Sequence, residues 1–136
     1  MTGVQTCALP ISVIKSSSKL IVNFLKYGHL SVTMKPVLII STYPNKKSIS
    51  KISNDLIKNK IIACVNISKI DSIYSWNGKI QNSPEYIAIF KTVTKNKTKL
   101  KKVITETHPY DVPEIAEIDV TSINKSYLNW LIESTN

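Results

Sequence analysis

The chain has 136 residues and a net charge of +9, and every one of its 18 basic residues is lysine. That length fits one domain with a modest core, and no apolar run approaches the roughly 20 residues that a membrane-spanning helix needs. Without arginine the chain lacks the planar fork that reads phosphate and guanine, so the charge is read as solvated lysine, with no nucleic acid and no membrane expected as partner.

Residues 1–12, "MTGVQTCALPIS", have neither helical nor alternating apolar period. They resemble a common sequencing adaptor translated codon by codon, and are expected to be an artefact. Residues 13–33 are expected to be a non-native or disordered leader, although Leu20, Ile21, Phe24 and Leu25 recur at helical spacing. Met34 is the expected start of a domain over 34–136, where 15 lysines face nine acids. Cys7 and Cys64 make no zinc-ligand spacing, and Cys64 lies in an apolar run, so it reads as a small buried hydrophobe. The start has no basic stretch leading into an apolar one, which fits a reducing, cytoplasmic setting.

"PVLIISTY" (36–43) is a short apolar run and predicts a buried strand. Asn45 is a good helix cap, and Ile49, Ile52, Leu56 and Ile57 then predict a helix over about 46–59. "KIIACVNI" (60–67) predicts the next strand, and the slip of apolar phase near Ser68–Lys69 predicts a bulge before "IDSIYSW". Asn77-Gly78 is a strong hairpin signal, because a type I′ turn needs positive φ at both central residues. The return strand is "KIQNSPEYIAIFKTV", in which Pro84 marks an edge or a bulge. Thr94 is the expected cap of a second helix over about 95–107, with Leu100, Val103 and Ile104 inside. "HPYDVPEI" ends it, since a residue before proline is pushed out of the helical region. "EIAEIDV" (114–120) alternates, with Ala116, Ile118 and Val120 on one face and Glu117 and Asp119 on the other. A short helix with Tyr127, Leu128, Trp130 and Leu131 closes the chain.

The order β-α-β-β-α-β plus a C-terminal helix predicts an α+β, ferredoxin-like sandwich with helices on one face of the sheet. The central strands are apolar on both faces. An uncovered second face exceeds what monomers usually expose, so self-association is expected.

With those residues in hand, the chain resembles the CutA family, the divalent-cation tolerance proteins. The matching stretches are "VLIISTYPN" (37–45), "ACVNI" (63–67), "SIYSWNGKI" (72–80), "EYIAIFKT" (85–92), "HPYDVPEI" (108–115) and "YLNWL" (127–131), in family order. The resemblance implies a homotrimer similar in architecture to PII signalling proteins. It also implies a role in divalent metal ion tolerance, copper in particular, exerted by binding. A divalent cation such as copper is the implied cofactor, and no organic cofactor is expected. The alternative is a PII-like small-molecule sensor or trimeric scaffold with ligand clefts between subunits.

The metal candidates are His108 and Glu114. Ser41 and Thr107 stand where some relatives carry a cysteine and a second histidine, so the set is poor in the soft or imidazole ligands copper favours. The competing reading has His108 holding a stiff proline-flanked loop by hydrogen bonds. Lys91, Tyr110, Tyr127 and Trp130 match recurring positions of the family and are the candidates for a ligand cleft; interface packing is the competing reading. Trp76 and Gly78 belong to the hairpin turn, where Trp76 either anchors a neighbouring subunit or makes a cross-strand pair with Lys79. Catalysis is not expected: Gly78 is the only glycine after Met34, so no phosphate loop is present, and His108 near Asp111 is no evidence of a triad.

Overall fold

The computed structural model describes residues 34–136; the readings of 1–12 and 13–33 lie outside the described residues. Strand β1 (Pro36–Tyr43) leads into helix α1 (Lys46–Lys58). Strands β2 (Cys64–Trp76) and β3 (Lys79–Val93) follow. A short 3-10 turn (Thr94–Asn96) enters helix α2 (Lys97–Thr107), and strand β4 (Ala116–Asp119) and helix α3 (Lys125–Ser134) complete the domain. The sheet runs β2-β3-β1-β4 with every pairing antiparallel. This is the expected α+β, ferredoxin-like arrangement, in which a hairpin joins neighbours β2 and β3 and the two helical connections, β1 to β2 and β3 to β4, each pass over one strand.

The local signals act as their chemistry requires. Asn45 has an extended backbone, and its Oδ1 accepts from the Ser48 N–H at 2.9 Å. The first helix thereby gains a partner for one of its free amides. Asn77 (φ 50°) and Gly78 (φ 73°) both take positive φ, and Trp76 pairs with Lys79 across them. His108 ends α2 with ψ 138°, the extended conformation that Pro109 imposes.

Four details differ from the sequence reading. Pairing of β2 with β3 runs unbroken from Cys64↔Lys91 to Trp76↔Lys79, so there is no bulge at Ser68–Lys69. Ile67 and Ile70 simply face opposite ways, because both surfaces of this strand carry apolar residues. Strand β2 begins at Cys64: Lys60 turns the chain with φ 57°, and Ile61 and Ile62 enter the core from that turn. Thr94 does not cap the second helix. Its Oγ1 accepts from the Lys35 N–H at 2.7 Å, fastening the end of β3 to the start of β1. Cys64 is half-buried, not a core residue.

The core lies between the helices and one face of the sheet. Val37, Ile39 and Tyr43 of β1 and Ala88 and Phe90 of β3 pack against Ile49, Ile52 and Leu56 of α1 and Leu100 and Ile104 of α2. By strand alternation the other face carries Leu38, Ile40, Ile87, Ile89 and Ile118. Among the described residues α3 packs against β3 on this side, and Ile118 is 43 % exposed. On β4 it is the acidic set that faces the helices: Glu117 takes Lys97 and Lys101 of α2 at 2.6 Å each.

β1 accompanies β3 only from Tyr86 to Val93. Beyond Tyr86, seven further β2–β3 pairs form an arm that no other described strand accompanies, roughly 24 Å long at about 3.4 Å per residue. Pro84 lies in this arm, where β3 is an edge and the missing amide harms no ladder. Ile73 (71 %), Trp76 (64 %) and Ile80 (76 %) are exposed on it.

Candidate functional site

Apart from Trp76 and Gly78, the candidate residues fall into two clusters at opposite ends of β1. The first surrounds the C-terminal end of β1 and is built by the loop after α2. Pro109 and Pro113 stiffen that loop, which returns the chain to the sheet edge at β4. Within it, the His108 ring packs on Tyr43 with centroids 4.2 Å apart and lies 5.3 Å from the Tyr110 ring.

Both nitrogens of His108 are engaged. Nδ1 accepts from the Tyr110 backbone N–H at 3.0 Å. Nε2 therefore carries the proton and donates to the Thr42 carbonyl at 3.0 Å, with the Ser41 Oγ also at 3.3 Å. Ser41 is fully buried, and its hydroxyl donates to the Glu114 carbonyl at 2.6 Å. Burial lowers the His108 pKa from its ordinary 6.5, and the bond to Thr42 offsets only part of that. The imidazole is neutral, with one tautomer selected by its partners.

This arrangement does not fit a metal ligand. A ligating nitrogen needs a free lone pair, and the only one on the neutral ring already receives the Tyr110 amide. Glu114 contributes its backbone carbonyl to the cluster while the residue is exposed. Thr107 bonds back to the Val103 carbonyl of its own helix at 2.7 Å. Among the described residues, no group of three or more His, Cys, Asp or Glu side chains is placed to hold a metal ion.

Tyr110 belongs to this first cluster. Its hydroxyl donates to Glu85 Oε1 at 2.8 Å, and burial together with that carboxylate pushes its pKa up to about 12. The loop is thereby tied to the base of the hairpin arm. Burial also raises the Tyr43 pKa to about 12.

The second cluster lies on the open face of the sheet at the other end of β1. Lys91 stands in register between Leu38 of β1 and Cys64 of β2. Its Nζ is 5.6 Å from the centroid of the Tyr127 ring. Tyr127 and Trp130, three residues apart on α3, form a tilted pair with centroids 5.2 Å apart. The Tyr127 hydroxyl is 3.8 Å from Cys64 Sγ.

Lys91, Tyr127 and Trp130 are thus brought together, and Tyr110 is not with them. Leu38 and Tyr43 mark the two ends, five residues apart on β1, which is roughly 17 Å at about 3.4 Å per residue. Trp76 and Gly78 are at the arm's tip, away from both. Sequence reasoning missed Glu85, Glu117 and the hydroxyl of Ser41. Each meets its partner across a long stretch of chain, 25 residues in the case of Glu85 and Tyr110, and no local pattern signals such a meeting.

A family model described as CutA1 divalent ion tolerance protein matches residues 37–134. The divalent-cation tolerance protein CutA of Pyrococcus horikoshii is 42 % identical over 99 residues, 73 % of this chain and 97 % of that protein. The protein named "CutA, chloroplastic" of Arabidopsis thaliana is 34 % identical over 135 residues, 95 % of this chain and 74 % of that protein. Among solved structures, the CutA1 divalent ion tolerance protein of Ehrlichia chaffeensis superposes with a TM-score of 0.73 at 36 % identity, covering 76 % of this chain and 97 % of that one. The expectation of a cytoplasmic protein is overturned. The Arabidopsis relative is named chloroplastic, and a similar solved structure from Archaeoglobus fulgidus is described as periplasmic. Cysteine usage and a missing leader pattern therefore assign no compartment to this fold.

Proposed function

This chain belongs to the family of CutA1 divalent ion tolerance proteins, and from that premise we propose that it works as a homotrimer that binds a ligand and performs no chemistry of its own. The observation that carries the assembly is the arm. Seven strand pairs extend past the body of the sheet with Ile73, Trp76 and Ile80 in solvent. By strand alternation Trp76 continues the half-covered face, while Ile73 and Ile80 lie on the opposite side of the ribbon. A two-stranded ribbon with no covering layer is marginal in water, and another copy of the chain is the simplest cover. The count of three comes from the family resemblance.

Divalent-cation tolerance in this chain does not rest on a copper centre at His108 and Glu114, because the imidazole is committed to the loop. The second reading, a PII-like sensor with small-ligand clefts between subunits, is favoured by the Lys91–Tyr127–Trp130 cluster on the open face. Sedimentation velocity across a dilution series, run with Cu(II) calorimetry, tests the proposal. The expected result is a trimer with no saturable Cu(II) heat at micromolar concentration. A stable monomer would refute the assembly, and tight Cu(II) binding lost in His108→Ala would refute the assignment of His108.

A further inference from the structure

Three lysines of the described residues are half-buried: Lys91, Lys97 and Lys101. The fold treats them differently. Lys97 and Lys101 share the two oxygens of Glu117. Lys91 has no carboxylate within ion-pair distance among the described residues. It is set into the open face of the sheet between Leu38 and Cys64, and what meets its ammonium is the face of Tyr127.

A cation withdrawn from water without a counter-charge is a cost that an incoming anion relieves. Burial holds the Lys91 pKa below its ordinary 10.5. Tyr127 does not supply the missing charge, because burial raises its own pKa and keeps the phenol protonated. The tilted pair of Tyr127 and Trp130 adds a broad apolar wall beside the ammonium. A fixed cation beside an aromatic wall suits a flat molecule with an anionic end.

We propose that Lys91, Tyr127 and Trp130 form a binding site for a small planar acid, with the ammonium taking a carboxylate or phosphate monoester and the rings taking the flat group that carries it. This deepens the small-ligand reading above and rests on the open face being a ligand-binding surface.

The test titrates the 15N-labelled full chain with benzoate, phenyl phosphate and uncharged benzamide, following the indole N–H signal of Trp130. The chain has two tryptophans, so a Trp76→Phe variant assigns that signal. Saturable shifts with benzoate or phenyl phosphate are expected, and whichever acid binds more tightly identifies the headgroup. Benzamide and the Lys91→Met variant are expected to bind weaker by on the order of tenfold or more, the weight of a charge-assisted hydrogen bond. Equal affinity for benzamide and benzoate overturns the proposal even where Lys91→Met does not fold. Sedimentation of the same samples separates the two claims. A trimer that binds neither acid overturns the site and leaves the assembly standing. A monomer that binds benzoate overturns the assembly and upholds the site, and a monomer that binds neither acid overturns both.

Discussion

Replacing His108 by alanine separates a loop fastener from a metal ligand. The substitution removes the Nε2–H bond to the Thr42 carbonyl and the acceptor for the Tyr110 amide, both at 3.0 Å. Each loss costs about 1–1.5 kcal/mol at a half-buried site. The ring contact with Tyr43 at 4.2 Å adds roughly 0.5–1 kcal/mol. The sum is about 3 kcal/mol, a fall in Tm on the order of 15 °C for a domain near 100 residues. Thermal unfolding by circular dichroism reads it. The acid limb gives an independent check. Because the folded pKa of His108 lies below the ordinary 6.5, the unfolded chain takes up a proton before the folded chain does. This contribution to stability is constant above pH 6.5, shrinks as pH falls between 6.5 and the lower folded value, and is absent from the pH profile of the variant. A His108→Ala protein that keeps its Tm within about 2 °C while losing Cu(II) affinity would refute the assignment.

Replacing both Ile73 and Ile80 by serine is expected to leave the fold of one subunit within about 0.5 kcal/mol, since both are exposed there, yet to dissociate the proposed trimer in sedimentation; an unchanged sedimentation coefficient would mean that the arm is not the contact. Gly78→Ala meets no atom within 4 Å, but φ 73° strains any side chain, so urea unfolding is expected to register a loss of about 1 kcal/mol; no change would point to a turn that relaxes freely. Glu117→Gln leaves two half-buried lysines without their carboxylate and is expected to lower Tm, less so in high salt. Lys101 first and Lys97 next hold the Glu117 pKa below 4.5. Its contribution is therefore full above pH 4.5 and fades as pH falls through the lower folded value, and a variant that matches the parent throughout that range would show the pairs to be idle.

The parts of the fold that were legible in the sequence are those set by neighbours along the chain. Asn45 capping α1, the two positive-φ residues Asn77 and Gly78, and the proline-imposed end of α2 each follow from a few adjacent residues. The strand order follows from element order. The errors have separate physical causes. Ile67, Ile70 and Ile73 read as a slipped phase only if one face of the strand must be polar throughout, and in β2 both faces mix apolar with polar residues. Thr94 looked like a cap because cap and tether use the same hydroxyl, and the choice between them is made by Lys35, 59 residues away. At the candidate site, His108, Tyr110, Lys91, Tyr127 and Trp130 were identified as residue types. What the sequence could not carry is that β1 separates Tyr110 from the other cleft residues, or that the backbone amide of Tyr110 takes the lone pair a metal would need.

The arm also bears on the life of a newly made chain. In a lone subunit, among the described residues, a strand edge tipped with isoleucine and tryptophan stands unpaired in water, the pattern that recruits stray strands into aggregates. Asp71, which is exposed, and Pro84 opposite it lie in that ribbon, and the exposed Lys69 stands at its base. Charges and a proline at such places discourage indiscriminate edge growth. Under the assembly proposed above, the sequence thereby guards its most adhesive segment during the interval between synthesis and association.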